Sequence, residues 1–275
     1  MAEYTVRPPV CADDRWYPAS PQALRQEVTD YLDHAPALDL PGDVLGLIAP
    51  HAGYFFSGHV AGASYRQVRG RDYDSVVLVG PDHRGLTFGE LAFPDFDAWH
   101  TPLGDVPMDR ELVTALDQRL HLRCVRRDSE HSLEVQLPFL QTALTGFKLL
   151  PLMMGDPSPA VCRELGQAIA DAVRGRRALL VASTDLSHYY PYEQAKRLDQ
   201  NTLKYVLDFD PAGFAEALTR GTALACGGGP VAAIMFAAHA LGATQAHLVK
   251  YANSGDVWED KSRVVGYAAV VLSTS

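Results

Sequence analysis

Val44-Leu-Gly-Leu-Ile-Ala-Pro-His-Ala-Gly-Tyr-Phe-Phe-Ser-Gly58 begins as an apolar run short enough to be a buried strand, and it breaks at Pro50. The first polar side chain after the break is His51. Gly53 loosens the backbone, and Ser57-Gly58 leads into a helical pattern. A strand that ends in Pro-His-x-Gly and hands over to a helix sets an imidazole at the carboxyl edge of a sheet. That edge is where open α/β sheets hold their ligands.

Two further strand ends repeat the arrangement. Ser75-Val-Val-Leu-Val-Gly80 is a β-branched run whose length and Gly-Pro end favour a buried strand, and it delivers Pro81-Asp-His83. Ala178-Leu-Leu-Val-Ala-Ser183 is a third, followed by Thr184-Asp-Leu-Ser-His188. Around these strands the spacing predicts helices over 21–34, 58–68, 109–120, 133–140 (interrupted by Pro138), 159–173, 192–207, 211–219 and 230–241. Strands are also predicted over 147–154, 247–251 and 264–272. Residues 84–108 read as loop and short strands. Ser20-Pro21 has the chemistry of a cap and first helical residue, and Gly175 that of a helix end. The regular alternation predicts one α/β domain over residues 1–275, a mixed central sheet with helices on both faces. Residues 1–19, rich in proline and polar groups, are expected to wrap the surface.

Composition narrows the function. The chain has 275 residues and a formal net charge of −9, with no basic run, which argues against a partner held by nucleic-acid phosphates. No apolar stretch approaches the length of a membrane span. The N-terminus lacks the basic and apolar regions of a signal peptide. Four scattered cysteines with no CxxC pair suggest free thiols and a cytoplasmic location.

The polar groups at the turns carry the chemistry. His51, His83, Asp185 with His188, and Cys226 in Cys226-Gly-Gly-Gly-Pro230 all follow buried strands or precede helices. Imidazole and thiolate are the usual ligands of Zn, Fe and Cu. Glu130-His131 is a further candidate, able to orient a ligand or move a proton. Each has a plainer reading as a cap, a turn residue or a small buried hydrophobe, and pattern alone leaves both open. A Ser/His/Asp hydrolase is disfavoured because no Gly-x-Ser-x-Gly elbow is present. Gly227-Gly-Gly lacks both phosphate-loop signatures. His34, His59, His100, His121, His239 and His247 lack a strand-end context and read as structural or surface residues.

Ala49-Pro-His-Ala-Gly-Tyr54 with Ser57-Gly58, Gly80-Pro-Asp-His83, Glu130-His-Ser-Leu-Glu-Val-Gln-Leu-Pro-Phe139, Ser183-Thr-Asp-Leu-Ser-His-Tyr189 and Cys226-Gly-Gly-Gly-Pro230 together resemble the Memo family. Trp99-His-Thr-Pro-Leu-Gly104 and Tyr251-Ala-Asn-Ser-Gly-Asp256 fit as well. In prokaryotes this family is similar to protein B of the AmmeMemoRadiSam system, encoded beside AMMECR-type and radical SAM proteins. The resemblance implies a fold like that of the class III extradiol (LigB-like) dioxygenases, which hold Fe(II) with two His and one Glu. It implies His51, His83 and Cys226 as metal ligands and His188 as the acid/base, with Asp185 beside it; His131 stays a further catalytic candidate on the Glu130-His131 pattern alone. Fe(II) is the expected metal, with copper or zinc as alternatives, since a thiolate in place of a carboxylate is softer. The competing expectation is a non-catalytic metal- or peptide-binding protein acting with those partners, with Trp16, Tyr54, Tyr189 and Tyr190 as contact surface.

Overall fold

The computed structural model describes residues 4–40 and 42–275. The first three residues of the expected wrapping segment, with the chain start, and Pro41 of the loop before the first central strand lie outside them. In chain order the elements are β1 (Val6–Arg7), α1 (Pro21–His34), β2 (Val44–Ala49), α2 (Tyr54–Arg66), β3 (Ser75–Pro81), β4 (Leu91–Pro94), β5 (Ala98–Thr101) and β6 (Gly104–Pro107). Then come α3 (Arg110–Leu120), β7 (Arg123–Val125), α4 (Leu137–Ala143), β8 (Lys148–Met154), α5 (Pro159–Val173), β9 (Ala178–Ser183) and β10 (His188–Tyr190). The chain closes with α6 (Tyr192–Leu207), α7 (Pro211–Thr219), α8 (Gly228–Ala240), β11 (Gln245–Asn253) and β12 (Val264–Ser273).

Nine strands form a mixed sheet in the order β10-β12-β2-β9-β3-β8-β4-β7, with β11 paired to β12. The inner strands β2, β9, β3 and β8 run parallel to one another, with antiparallel partners β12 and β4 on either side. They are almost wholly apolar and buried, as parallel strands covered on both faces must be. Helices α1, α2 and α4 pack together, while α3, α5, α7 and α8 form a second packed group. The mixed sheet with helices on both faces is thus as the pattern predicts. Among the described residues no helix is long and apolar enough to cross a membrane.

The strand order positions the site. β9 lies between β2 and β3, with Ala49 level with Ser183 and Val79 level with Ala182. All three strands therefore end at one edge. His51, His83 and Asp185 each sit two residues past the end of their strand.

Local boundaries differ from the pattern in two instructive places. Helix α2 starts at Tyr54 rather than Gly58, because the Tyr54 N–H is satisfied by the Trp16 carbonyl at 2.8 Å and needs no side-chain cap. Helix α8 begins inside the glycine run at Gly228. Residues 4–19 cross the body of the protein and insert Arg7, Cys11 and Tyr17 into it, all essentially inaccessible to solvent.

Candidate metal centre

A cleft of about 620 Å³ opens at the carboxyl edge of β2, β9 and β3. Trp16, His51, His83, Arg84, His131, Asp185, His188, Tyr189, Cys226 and Tyr267 line it. Every residue expected to ligate or transfer protons is therefore in one place. One ring nitrogen each from His51, His83 and His131 lie within 4.8 Å of one another. Cys226 Sγ lies 3.1 Å from His51 Nε2, and Asp185 Oδ2 lies 4.0 Å from the same nitrogen.

The hydrogen bonds decide which nitrogen of each ring is free. His51 Nδ1 lies 2.9 Å from Ser183 Oγ. That hydroxyl spends its only proton on the Ser132 carbonyl, at 2.6 Å, and accepts from Gln136 Nε2 at 2.8 Å. It must therefore accept from His51, so Nδ1 carries the proton and Nε2 keeps its lone pair. His83 Nδ1 lies 3.0 Å from Glu130 Oε1, an acceptor-only carboxylate, which leaves Nε2 bare in the same way. His188 Nδ1 donates to the Leu186 carbonyl at 2.9 Å, so its Nε2 also carries a lone pair. An imidazole whose second nitrogen is bound to a carboxylate, hydroxyl or carbonyl is the arrangement that orients a metal ligand.

Burial keeps His51 and His131 neutral. Burial, with the neighbouring His83, pushes His51 down to about 3. Burial, with His51 beside it, pushes His131 down to about 3. Burial alone would raise Glu130. Hydrogen bonds from His83 and the Ser132 N–H overcome this and hold it at about 2. Burial raises Asp185 above the usual carboxylate range, opposed by the His51 N–H that donates to it at 2.8 Å. Burial and the Asp185 charge push the Cys226 thiol up to about 12. Its sulfur accepts the Asp185 N–H at 3.2 Å.

The glycine after Cys226 has a geometric role. A Cβ on Gly227 would lie 2.2 Å from the Ser183 carbonyl, closer than any side chain can come. Its absence lets the start of α8 dock on the end of β9. The bonds from Gly227 N to Thr184 Oγ1 (2.9 Å) and from Cys226 N to the Asp185 carbonyl (3.1 Å) complete the seam. Cys226 is thereby brought against His51 from 175 residues away.

These donors suit a divalent metal ion: three imidazole nitrogens within reach of one another, with a thiol beside them. Among the described residues the buried His131 Nδ1 has no hydrogen-bond partner. It lies 3.2 Å from Glu130 Oε1 without the required alignment. The cluster could hold a metal ion.

Several contributors were not singled out from sequence. Ser183 and Gln136 set the His51 tautomer, and both are fully buried. Glu130, which the sequence did mark as able to orient a ligand, does the same for His83. Tyr54, expected as contact surface, is buried and donates to the Val135 carbonyl at 2.7 Å. Tyr189 is 62% exposed at the cleft rim. His34, His100 and His247 make only local contacts outside the cleft.

Fold and site together define an α/β protein with a histidine-rich, metal-competent cleft at the carboxyl edge of its parallel strands. The family described as Memo-like protein matches residues 7–271. A MEMO1 family protein of Methanopyrus kandleri is 39% identical over 94% of this chain and 96% of its own. One of Methanosarcina mazei is 41% identical over 84% and 86%, and one of Pyrobaculum aerophilum 37% identical over 97% and 99%. The chain belongs to the Memo family. Among solved structures, an uncharacterized protein of Escherichia coli K12 is similar with a TM-score of 0.54 at 13% identity. It covers 83% of this chain and 100% of its own, a likeness of fold alone.

Proposed function

We propose that this Memo-family protein holds one divalent metal ion through His51, His83 and Cys226, and uses it to oxidise a small aromatic or similar substrate with molecular oxygen as the oxidant. The observation that carries the reading is the pair of spent Nδ1 atoms. His51 gives its proton to Ser183 and His83 gives its proton to Glu130, so both present bare Nε2 lone pairs to one cleft. Cys226, 3.1 Å from His51 Nε2, supplies the third donor. His131, whose donor atom clusters with those of His51 and His83, stands at the remaining side. Fe(II) is the first expectation and copper or zinc the alternatives, because a thiolate tolerates all three, although zinc, which has no redox chemistry, would fill the site without the oxidation.

When bound, such an ion would supply electrophilic activation of a substrate oxygen. The chain's own groups do the rest. His188 Nε2 is a bare base within the cleft and takes the proton of a substrate hydroxyl. Asp185, fixed by the His51 N–H, holds the turn that carries His188. Trp16, Tyr189 and Tyr267 provide aromatic walls that seat a flat substrate and exclude water.

Anaerobic reconstitution with Fe(II), followed by metal analysis of the wild type, His51→Ala and Cys226→Ala, tests the site. The proposal expects one ion per chain, lost in both variants. Unchanged metal content in the variants removes the ligand assignment. Oxygen uptake by the loaded protein with a panel of catechols then tests the reaction, and no uptake with any of them removes the ring-cleaving form of it. A second reading, capture of a peptide end without turnover in concert with AMMECR-type and radical SAM partners, is favoured by one observation. Tyr189 stands exposed at the rim in a left-handed conformation (φ 66°), under the Arg263 guanidinium at 5.0 Å.

A further inference from the structure

The Glu130-His131 turn behind the cleft is held by a segment more than a hundred residues away in sequence. Arg7, on β1, is fully buried. Its guanidinium is gripped on three sides: Nε by Asp128, Nη1 by Glu134, and Nη2 by the main-chain carbonyl of Glu130 at 2.9 Å. It also lies 4.1 Å over the ring of Trp99. These acceptors bracket Glu130-His131. The Glu130 carboxylate in turn holds His83 at both Nδ1 (3.0 Å) and its main-chain N–H (2.7 Å), and takes the His131 N–H at 3.0 Å.

The same segment returns to the site a second time. Glu134 accepts the N–H groups of Val10 and Cys11, and the Tyr17 hydroxyl at 2.6 Å. Between those anchors Trp16 is set with its ring 4.2 Å from that of His131 and 32° from parallel. Gly53 lets the segment pass close, since a Cβ there would lie 2.7 Å from the Arg15 carbonyl.

Stability alone is a weak account of this cluster. Desolvating buried charges costs several kcal/mol per ion, and apolar replacements of similar volume are often as stable. What apolar groups cannot do is fix a carbonyl and two carboxylates in stated directions. We propose that Arg7 and Trp16 are positioning residues of the metal centre. Arg7 fixes the main chain of Glu130 through its carbonyl, and so sets the carboxylate that holds the tautomer and orientation of His83. Trp16 fixes the plane of the His131 ring. This inference rests on the metal reading of the cleft.

Cobalt(II), added anaerobically to the whole chain, is the probe, because its visible absorption reports coordination geometry as well as occupancy. The variants are Arg7→Lys, whose ammonium lacks the rigid fork, and Trp16→Leu. Leu116→Ala, in the core under α3, serves as a control for lost stability alone. Loosening a group behind a metal ligand typically weakens binding 10–100-fold. Arg7→Lys and Trp16→Leu are each expected to weaken cobalt binding by at least about tenfold and to change its absorption bands. Leu116→Ala is expected to lower Tm with both left as in the wild type. Wild-type affinity and spectrum in Arg7→Lys and Trp16→Leu would overturn the inference while leaving the metal reading intact. If Arg7→Lys does not fold, Trp16→Leu decides by the same criterion. A wild type that binds no cobalt would sink the metal reading, and this inference with it.

Discussion

Replacing Glu130 by Gln removes one charge and nothing of the shape. Glu130 is fully buried, and its two oxygens accept from four donors: His83 Nδ1, and the N–H groups of His83, His131 and Ser132. A glutamine offers one acceptor oxygen and turns an NH2 group toward the remaining donors, which leaves at least one buried N–H unpaired. The net preference for the ionised carboxylate is the drop from 4.5 to about 2. At 1.36 kcal/mol per unit that corresponds to about 3 kcal/mol, within the range for an orphaned buried polar group next to a lost charge. The sign follows from the depressed pKa. The contribution is complete above 4.5 and vanishes as pH falls through about 2. Urea unfolding of the wild type and Glu130→Gln is expected to show a gap of about 3 kcal/mol at pH 7 that narrows steadily below pH 4.5. Metal affinity is expected to fall about 10–100-fold, because the His83 proton loses its partner. A variant as stable as the wild type at pH 7, or a gap that stays constant with acid, would refute the reasoning about the carboxylate. Unchanged metal binding would refute the link from Glu130 to His83.

Acid should also act through the histidines. His51 and His131 are buried and neutral, with pKa values depressed from 6.5 to about 3. The unfolded chain therefore binds more protons below 6.5, and the metal-free protein should lose stability as pH falls from about 6.5 toward 3. His51→Asn should flatten that slope, and a slope equal to the wild type's would count against the assignment. Metal binding should release one proton per ion at pH 7 if Cys226 is the third ligand, because its thiol sits at about 12 while His51 and His131 carry no extra proton to lose. Calorimetry in two buffers of different ionisation enthalpy reads this number, and release of none, or an unchanged value in Cys226→Ser, would give the third place to His131. Gly227→Ala should cost several kcal/mol and weaken metal binding, since the added carbon meets the Ser183 carbonyl at 2.2 Å and must pry Cys226 from His51. A thermal melt and metal titration matching the wild type would show that the seam can yield.

The strand ends were legible because chemistry and pattern coincide there. Apolar β-branched runs that stop at Pro50 or Pro81 and then present a histidine say both where the strand is and which edge it serves. What the runs could not say is their order. That β9 separates β2 from β3 is a long-range fact, and it is why Ser183 meets His51 rather than capping a helix. Glu134 and Gln136 looked like the polar side of an amphipathic turn, yet both are fully buried. Their partners, Arg7, Tyr17, Tyr65 and Ser183, come from segments that no local periodicity links to them. Arg7 was hidden for a related reason. It lies in a proline-rich, polar stretch whose composition suits a surface strap, and only the tertiary structure reveals the acceptors that draw it inward.

The most direct test of the central claim is the position of a metal in a crystal of this protein. Crystals grown with one equivalent of Zn(II) and measured at the zinc edge should show one strong anomalous peak in the cleft. The peak should lie about 2.0–2.3 Å from His51 Nε2, His83 Nε2 and Cys226 Sγ. A fully ordered cleft with no peak, or a zinc bound elsewhere while His51 keeps its contact to the Cys226 thiol, would contradict the account.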